Sequence, residues 1–306
     1  MTTEEKISSQ GLVWINIANP KKEDLEGLQS KYGFHELDLE DCLSRTESAK
    51  IEEYSKYVFV VFHFPYKDIK NDNIFIESVS VFIGEDYIIT LGNGHLKRID
   101  EYFGELKRKS SKRRSIFKKG SGYLLYELID ELFEIYNPYI NQLGRYVREI
   151  EEEIFEGNIQ KDRLYDIMNV KRQIITLKRA LLPHSSVILT LENLHKRFIN
   201  KTLELYFDDI ADKIKRDKAT LETLDEIIEN LQNANESLTS HNTNKVMKVL
   251  TIFSVTMLPL TILTGFFGMN INLPLAENEA AFIIIVLLML GVFALSFAFF
   301  KAMRYL

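Results

Sequence analysis

The spacing of hydrophobic positions divides the chain into a first part with mixed periods and a longer helical part. "LVWINIA", "YVFVVFHFPY" and "IFIESVSVFIGEDYIITLG" are rich in β-branched and aromatic residues and end at turn residues, which predicts strands. "NPKKEDLEGLQSKYG", ending near Gly33, and "HELDLEDCL" have the pattern of helices. We therefore expect an α/β sandwich domain with a mostly antiparallel sheet over residues 1–122.

The pattern from Tyr123 onward is almost entirely helical. "YLLYELIDELFEIYNPYINQLGRYVREIEEEIFEG" predicts one long amphipathic helix that ends at Gly157. The following segment, "IQKDRLYDIMNVKRQIITLKRALLP", is broken by Pro183. These segments predict a helical region over residues 123–202 with an acidic hairpin.

The last helix of this series begins near Leu203 and contains no Pro or Gly before Pro259. If it continues to Phe267, it spans on the order of 95 Å. One face has the 3-4 spacing of a coiled-coil seam and becomes polar toward its end. Two interpretations fit this change: helices around water, or asparagines that set the register of a dry coiled coil. The seam residues are Leu221, Leu224, Ile228, Leu231, Asn235, Leu238 and Asn242.

Two uncharged segments near the end, Val249 to Ala276 and Ala280 to Phe300, are long enough for membrane-spanning helices. A buried hairpin in a soluble core is the alternative, but "AAFIIIVLLMLGVFALSFAFF" has no polar face. The chain is therefore expected to be an α+β membrane protein in which the α/β domain and helical stalk precede two transmembrane helices. The expected divisions are 203–268 for the stalk and first transmembrane helix, 269–279 for an outer loop, 280–300 for the second transmembrane helix and 301–306 for the tail.

The charges beside these segments predict their orientation. Lys245 and Lys248 precede the first segment, and Lys301 follows the second. The connecting loop has no Lys or Arg and carries Glu277 and Glu279. By the positive-inside rule, both termini are expected in the cytoplasm and the loop outside a plasma membrane, such as the inner membrane of a bacterial cell.

Composition limits the remaining possibilities for a chain of 306 residues. Its net charge of −6 argues against general nucleic-acid binding. Its only cysteine, Cys42, excludes an internal disulfide or a zinc-finger site. No nucleotide-binding glycine loop, zinc-protease motif or nucleophile elbow is found, so no enzyme activity, organic cofactor or nucleic-acid partner is expected.

The stretch "TILTGFFGMNINLP" has the features of an ion entrance. Ser254, Thr261, Gly265 and Gly268 share one helical stripe, which suits either close helix packing or the lining of a pore. A helix C-terminus leaves carbonyls without intrahelical partners, and Asn270 adds an amide oxygen. In a symmetric assembly these oxygens form a neutral ring suited to hydrated Mg²⁺, while acidic loop residues attract cations.

At these residues the sequence resembles the CorA family of magnesium and cobalt transporters. The resemblance rests on "NKVMKVLTIFSVTMLPLTILTGFFGMN", a second apolar segment, "YLLYELID" and "VREIEEEIFEG". It implies a homopentamer in a lipid bilayer that passes Mg²⁺, with Co²⁺ and Ni²⁺ as further ions. Gly268, Met269 and Asn270 would form the outer entrance. The rings implied along the pore are polar at Asn244, Thr261 and Gly265 and apolar at Met247, Leu250 and Leu258.

The resemblance also implies regulation by cytosolic Mg²⁺ at protomer interfaces. Asp41 of one protomer and Asp209 of another would hold the ion. Glu40, Asp130 and Asp212 would form a second, weaker site. Taken singly and without the resemblance, each of these acids is better interpreted as an ordinary solvated surface carboxylate.

Two other functions fit parts of this pattern. A zinc transporter of similar build is the closer alternative, but only His241 lies near the predicted pore, and zinc prefers imidazole and thiolate ligands. A membrane-anchored enzyme is the other.

Lys107 to Lys119 is strongly basic and suits either a solvated surface or lipid headgroups.

Overall fold

The computed structural model describes residues 3–44, 48–67, 73–156, 163–194, 196, 198–199, 201–269 and 280–302. The chain divides into two compact units, Met1–Gln232 and Asn233–Leu306. The first contains a sheet and its surrounding helices. The second contains two long apolar helical segments.

The first unit is built on a six-stranded sheet of order β1-β2-β6-β5-β4-β3. Among the described strands only β2 and β6 pair in parallel, which confirms the mostly antiparallel sheet. The β1–β2 hairpin turns at Gln10 and Gly11, with φ of 55° and 81°, as a tight two-residue hairpin turn requires. The strands are β1 (Thr3–Ser9), β2 (Leu12–Ala18), β3 (Lys50–Glu53), β4 (Val58–Lys67), β5 (Ile74–Ile83) and β6 (Tyr87–Gly92).

The helices of the first unit cover both faces of this sheet. Alternate residues of a strand point to opposite faces, and β2 shows this directly. Ile15 and Ile17 pack with residues of α1 and α2, whereas Trp14 contacts Phe103 of α3 on the other face. The helices are α1 (Lys22–Tyr32), α2 (Glu36–Leu43), α3 (Lys97–Arg108), α4 (Ser110–Phe117), α5 (Ser121–Phe133), α6 (Tyr136–Phe155), α7 (Arg163–Leu181), α8 (His184–Asn193), α9 (Glu204–Phe267) and α10 (Ala281–Ala302), the last lying in the second unit.

The predicted helix from Tyr123 to Gly157 is two helices, which corrects the sequence prediction. α5 ends at Phe133 and α6 begins at Tyr136. Pro138 explains the break, because its ring would collide with the carbonyl of Glu134 in a continuous helix. The Ile135 amide instead donates to the Leu132 carbonyl at 3.1 Å. Gly157, the predicted end, lies outside the described residues.

The apolar half of the predicted seam packs within the chain itself. Leu221, Leu224, Ile228 and Leu231 of α9 are all buried in the first unit. In the same stretch, Lys178 of α7 donates to Asp225 of α9 at 2.7 Å. The coiled-coil pattern alone predicted that these four side chains form a seam with another copy. Because they are buried within their own chain, they are not free to do so. The polar continuation lies in the second unit, and both of its interpretations stay predictions.

Three helical stretches are long and apolar enough to cross a membrane by length and composition: Leu164–Asn193, Lys201–Phe267 and Phe282–Ala302. The first belongs to the core of the first unit instead, because α7 packs on β4 and β5 and buries Ile167, Ile174 and Leu177. The apolar windows of the other two are exposed. The predicted sheet domain, long helix and apolar C-terminal helices are confirmed.

Candidate ion pathway and regulatory carboxylates

The residues predicted to line an ion pathway lie in the second unit, on the uninterrupted C-terminal half of α9. In the single chain all of them are exposed: Asn244, Met247, Leu250, Leu258, Thr261 and Gly265. Large apolar side chains on the other faces of this segment, such as Phe253 and Ile262, are exposed as well. An apolar helical segment that its own chain does not cover needs lipid or other copies to cover it.

The helix terminus before the Gly-Met-Asn motif shows why Gly268 has no side chain. The Gly268 amide donates to the Thr264 carbonyl at 2.9 Å, and the Met269 amide donates to the Phe266 carbonyl at 3.3 Å. A Cβ at Gly268 would lie 2.9 Å from that Thr264 oxygen, so a larger residue would force the terminus to shift. A Cβ at Gly265 would meet nothing within 4 Å. Asn270, Glu277 and Glu279 lie outside the described residues.

Hydroxyl groups along this segment differ in their bonding. Thr251 and Thr261 donate to the carbonyls of Met247 and Met257, four residues back, at 2.8 and 2.9 Å. Ser254, one turn from both Leu250 and Leu258, has no such hydrogen bond within the described part of the chain. Its hydroxyl can therefore bond water, whereas the hydroxyls of Thr251 and Thr261 already donate to the helix.

The carboxylates predicted for the first regulatory site lie on α2 and α9. Asp41, on α2, accepts from Lys50 at 2.5 Å and is half-buried. Asp209, on α9, is exposed. Apolar side chains flank both: Leu37 on α2 is 60% exposed, and Leu205 on α9 is 79% exposed. Surfaces of this kind, apolar with carboxylates between, are suited to burial against another protein surface.

The residues predicted for the second site have different surroundings. Glu40 and Asp212 are exposed. Asp130, on α5, is half-buried and accepts a short hydrogen bond from Lys213 of α9, which also donates to Glu134. Tyr126 lies near both Asp130 and Asp209. Its burial, and to a lesser extent these two negative charges, raise its pKa to about 12. The structure thus brings Asp130 and Asp209 to one area of α5 and α9.

The sequence interpretation missed two lysines that lie beside the predicted carboxylates. Lys50 and Lys213 each contact a carboxylate that was predicted to bind Mg²⁺. For Lys213 a local signal exists, since it directly follows Asp212 and lies one helical turn after Asp209. Within the described residues of the single chain, no three His, Cys, Asp or Glu residues are grouped so that they could hold a metal ion. A site formed between copies would draw its ligands from two chains.

Comparison with known proteins gives consistent results over nearly the whole chain. A family model for the CorA-like Mg²⁺ transporter protein matches residues 9–302. The cobalt/magnesium transport protein CorA of Thermotoga maritima is 28% identical over 259 residues, covering 84% of this chain and 72% of that protein. The zinc transport protein ZntB of Pectobacterium carotovorum is 23% identical over 195 residues, covering 64% and 57%.

A solved structure gives the same fold. The CorA magnesium transporter of Methanocaldococcus jannaschii superposes with a TM-score of 0.82 at 24% identity, covering 97% of this chain and 93% of that one. At this level of identity the similarity establishes the architecture and not the ion.

Proposed function

The chain belongs to the CorA family of Mg²⁺ transporters, and from this premise we propose that it is a homopentameric channel for passive influx of hydrated Mg²⁺ across the plasma membrane. The observation that carries the proposal is the placement of Gly268, Met269 and Asn270 directly after a long exposed apolar helix, which is followed by a second one. Neither helix is covered in the single chain, and several copies are needed to enclose a path.

In this proposal the outer entrance binds the water shell of Mg²⁺ through the Asn270 amide and the Gly268 carbonyl. Neutral oxygens suit this purpose, because Mg²⁺ loses its water reluctantly and carboxylates in the filter would retain it. Glu277 and Glu279 raise the local cation concentration in the outer loop. The membrane potential drives the divalent ion inward with both termini in the cytoplasm.

Below the entrance, the polar ring of Thr261 and Gly265 leads to an apolar constriction of Leu258, Leu250 and Met247, followed by Asn244. An apolar constriction blocks ions by excluding water, and a small rotation or separation of helices wets it. We propose that this constriction is the gate. Co²⁺ and Ni²⁺ carry similar hydration shells and are expected to pass by the same route.

Cytosolic Mg²⁺ is proposed to close the channel by binding between Asp41 of one protomer and Asp209 of the next. Carboxylates that face each other repel, and a divalent ion removes this repulsion. The exposed Leu37 and Leu205 beside these acids favour such an interface. Lys50 must leave Asp41 before Mg²⁺ can bind at this position, so a weak affinity is expected.

Uptake into proteoliposomes tests the pathway. We expect Mg²⁺ uptake by the wild type and loss of at least tenfold in Asn270→Ala, because each protomer loses one oxygen of the entrance ring. Asn272→Ala, which removes an amide from the same loop, is the matched control and should retain uptake. Equal uptake by the two variants would contradict the entrance assignment. Zn²⁺ uptake without Mg²⁺ uptake would favour the zinc-transporting relatives instead.

The regulatory site is tested by uptake against increasing internal Mg²⁺. Asp209→Asn should require a severalfold higher internal Mg²⁺ concentration for inhibition, because one ligand charge is removed. Asp208→Asn, which alters the neighbouring exposed acid of α9, is the control and should behave as the wild type. Equal shifts in both variants would indicate a general charge effect. Native mass spectrometry of the purified protein tests the pentamer.

A further inference from the structure

Lys213 lies where the family resemblance implies a second divalent ion. Its ammonium group contacts Asp130 and is 3.0 Å from the Glu134 carboxylate, so it joins α9 to the end of α5. The Lys213 side chain is 23% exposed, and those of Asp130 and Glu134 are 30% and 46% exposed. Asp130 is the residue of this set that the second site was predicted to use.

Lys213 keeps its proton, and so its positive charge, because it contacts two carboxylates. Burial alone would lower its pKa, but the hydrogen bonds to Asp130 and Glu134 outweigh this and raise the pKa above its ordinary value. The same contact lowers the pKa of Glu134. The ammonium therefore stays in contact with the carboxylates of Asp130 and Glu134 and neutralises part of the acidic surface.

A divalent ion cannot share this position with the ammonium. Mg²⁺ brings a shell of bound water and needs the outward lone pairs of its carboxylates, one of which on Asp130 already accepts from Lys213. Two cations beside one carboxylate also repel strongly in a partly buried environment. Either Lys213 moves away or the second Mg²⁺ does not bind.

We infer that Lys213 serves as a tethered cation in place of the second regulatory Mg²⁺, so that each protomer regulates with one divalent ion, at Asp41 and Asp209, instead of two. This inference rests on the proposed regulation by Mg²⁺. It replaces the second Mg²⁺ site implied by the resemblance, because Asp130 already forms an ion pair with a lysine of its own chain. A permanent ammonium would keep α5 and α9 joined whatever the Mg²⁺ concentration.

The simpler explanation is an ordinary ion pair with no relation to metal binding. Lys178 and Asp225 provide the comparison, because they also join α9 to a neighbouring helix, at 2.7 Å. Lys178 has a similar exposure, 24%. Lys178→Met therefore removes an equivalent contact away from the predicted site.

The test counts Mn²⁺ ions bound to the purified full-length protein, by electron paramagnetic resonance. We expect Lys213→Met to bind one more Mn²⁺ per chain than the wild type, because Asp130 and Glu134 become available. Lys213→Arg, which keeps the charge, and Lys178→Met should match the wild type. A folded Lys213→Met protein with the wild-type number of ions would overturn the inference.

Asp130→Asn in the otherwise wild-type chain decides the question if Lys213→Met does not fold. The tethered-cation role predicts an unchanged number of Mn²⁺ ions, whereas loss of one ion would show that Asp130 is a metal ligand and overturn the inference. Asp209→Asn distinguishes a failure of the Lys213 role from a failure of the proposed regulation by Mg²⁺. If it loses no Mn²⁺ and shows no altered inhibition, the proposed regulation itself fails, whatever the Lys213 variants do.

Discussion

His184 gives the first unit a predictable sensitivity to acid. Its ring is fully buried among Phe62, Phe64 and Phe133, and its Nε2 accepts from the His63 amide at 2.9 Å. Burial, followed by repulsion from His63, lowers the pKa of His184 from 6.5 to about 3. The native protein therefore holds this ring neutral over a range in which the unfolded chain protonates it.

The sign and size of the effect follow from this difference in pKa. Well above pH 6.5 neither state binds the proton, and His184 costs no free energy of unfolding. As the pH falls from 6.5 toward 3, unfolding is favoured by about 1.4 kcal/mol per pH unit. Between about pH 7.5 and about pH 5, His184 should cost about 2 kcal/mol of unfolding free energy.

Trp14 makes this measurable in the full-length protein. It is the only tryptophan and is fully buried in the sheet, so its fluorescence reports denaturant unfolding of the first unit. His184→Gln is the reference, because glutamine offers a neutral oxygen to the His63 amide and does not titrate. Carboxyl groups whose pKa is raised by burial, such as Glu77, stabilise the protein as the pH falls, and this contribution cancels between the two proteins.

We expect the wild type to lose about 2 kcal/mol more than His184→Gln between these pH values, at one fixed protein concentration. Parallel losses within about 0.5 kcal/mol would refute the account of a neutral buried histidine. A lower stability of His184→Gln at every pH would not affect this result, because only the change with pH is compared.

Two further predictions concern single positions. Gly122→Ala should destabilise the first unit by more than about 2 kcal/mol in the same assay, because the new Cβ would lie 2.1 Å from a backbone oxygen. Gly27→Ala is the control and should be neutral or stabilising, because its new Cβ meets no atom within 4 Å. Equal effects of the two substitutions would contradict the packing described for Gly122. If Ser254 faces water, Ser254→Cys should react with a charged thiol reagent at least tenfold faster than Thr256→Cys, which lies on another face of α9. Burial raises the pKa of Cys42 to about 12, so this residue should contribute little background reaction. Equal rates for the two variants would refute the pore-facing stripe.

Sequence patterns predicted the elements with large buried or apolar surfaces. β4, β5 and β6 were predicted because strands in the middle of a sheet need apolar side chains along their length. β1 and β3 were not predicted, since an edge strand pairs on one side only and "TEEKISS" carries few apolar residues. The break between α5 and α6 did have a local signal in Pro138, which the amphipathic pattern obscured.

The candidate site was also predictable from the sequence only in part. The long apolar helix and the Gly-Met-Asn motif after it are properties of consecutive residues, so the sequence alone determined the family resemblance and the proposed entrance. Residue spacing could not reveal which carboxylates are already paired. Lys213 meets Asp130 across 83 positions of the chain, and Leu221 to Leu231 meet their own chain instead of another copy. Periodicity identifies a face, whereas its partner depends on contacts between distant segments, which only the tertiary structure decides.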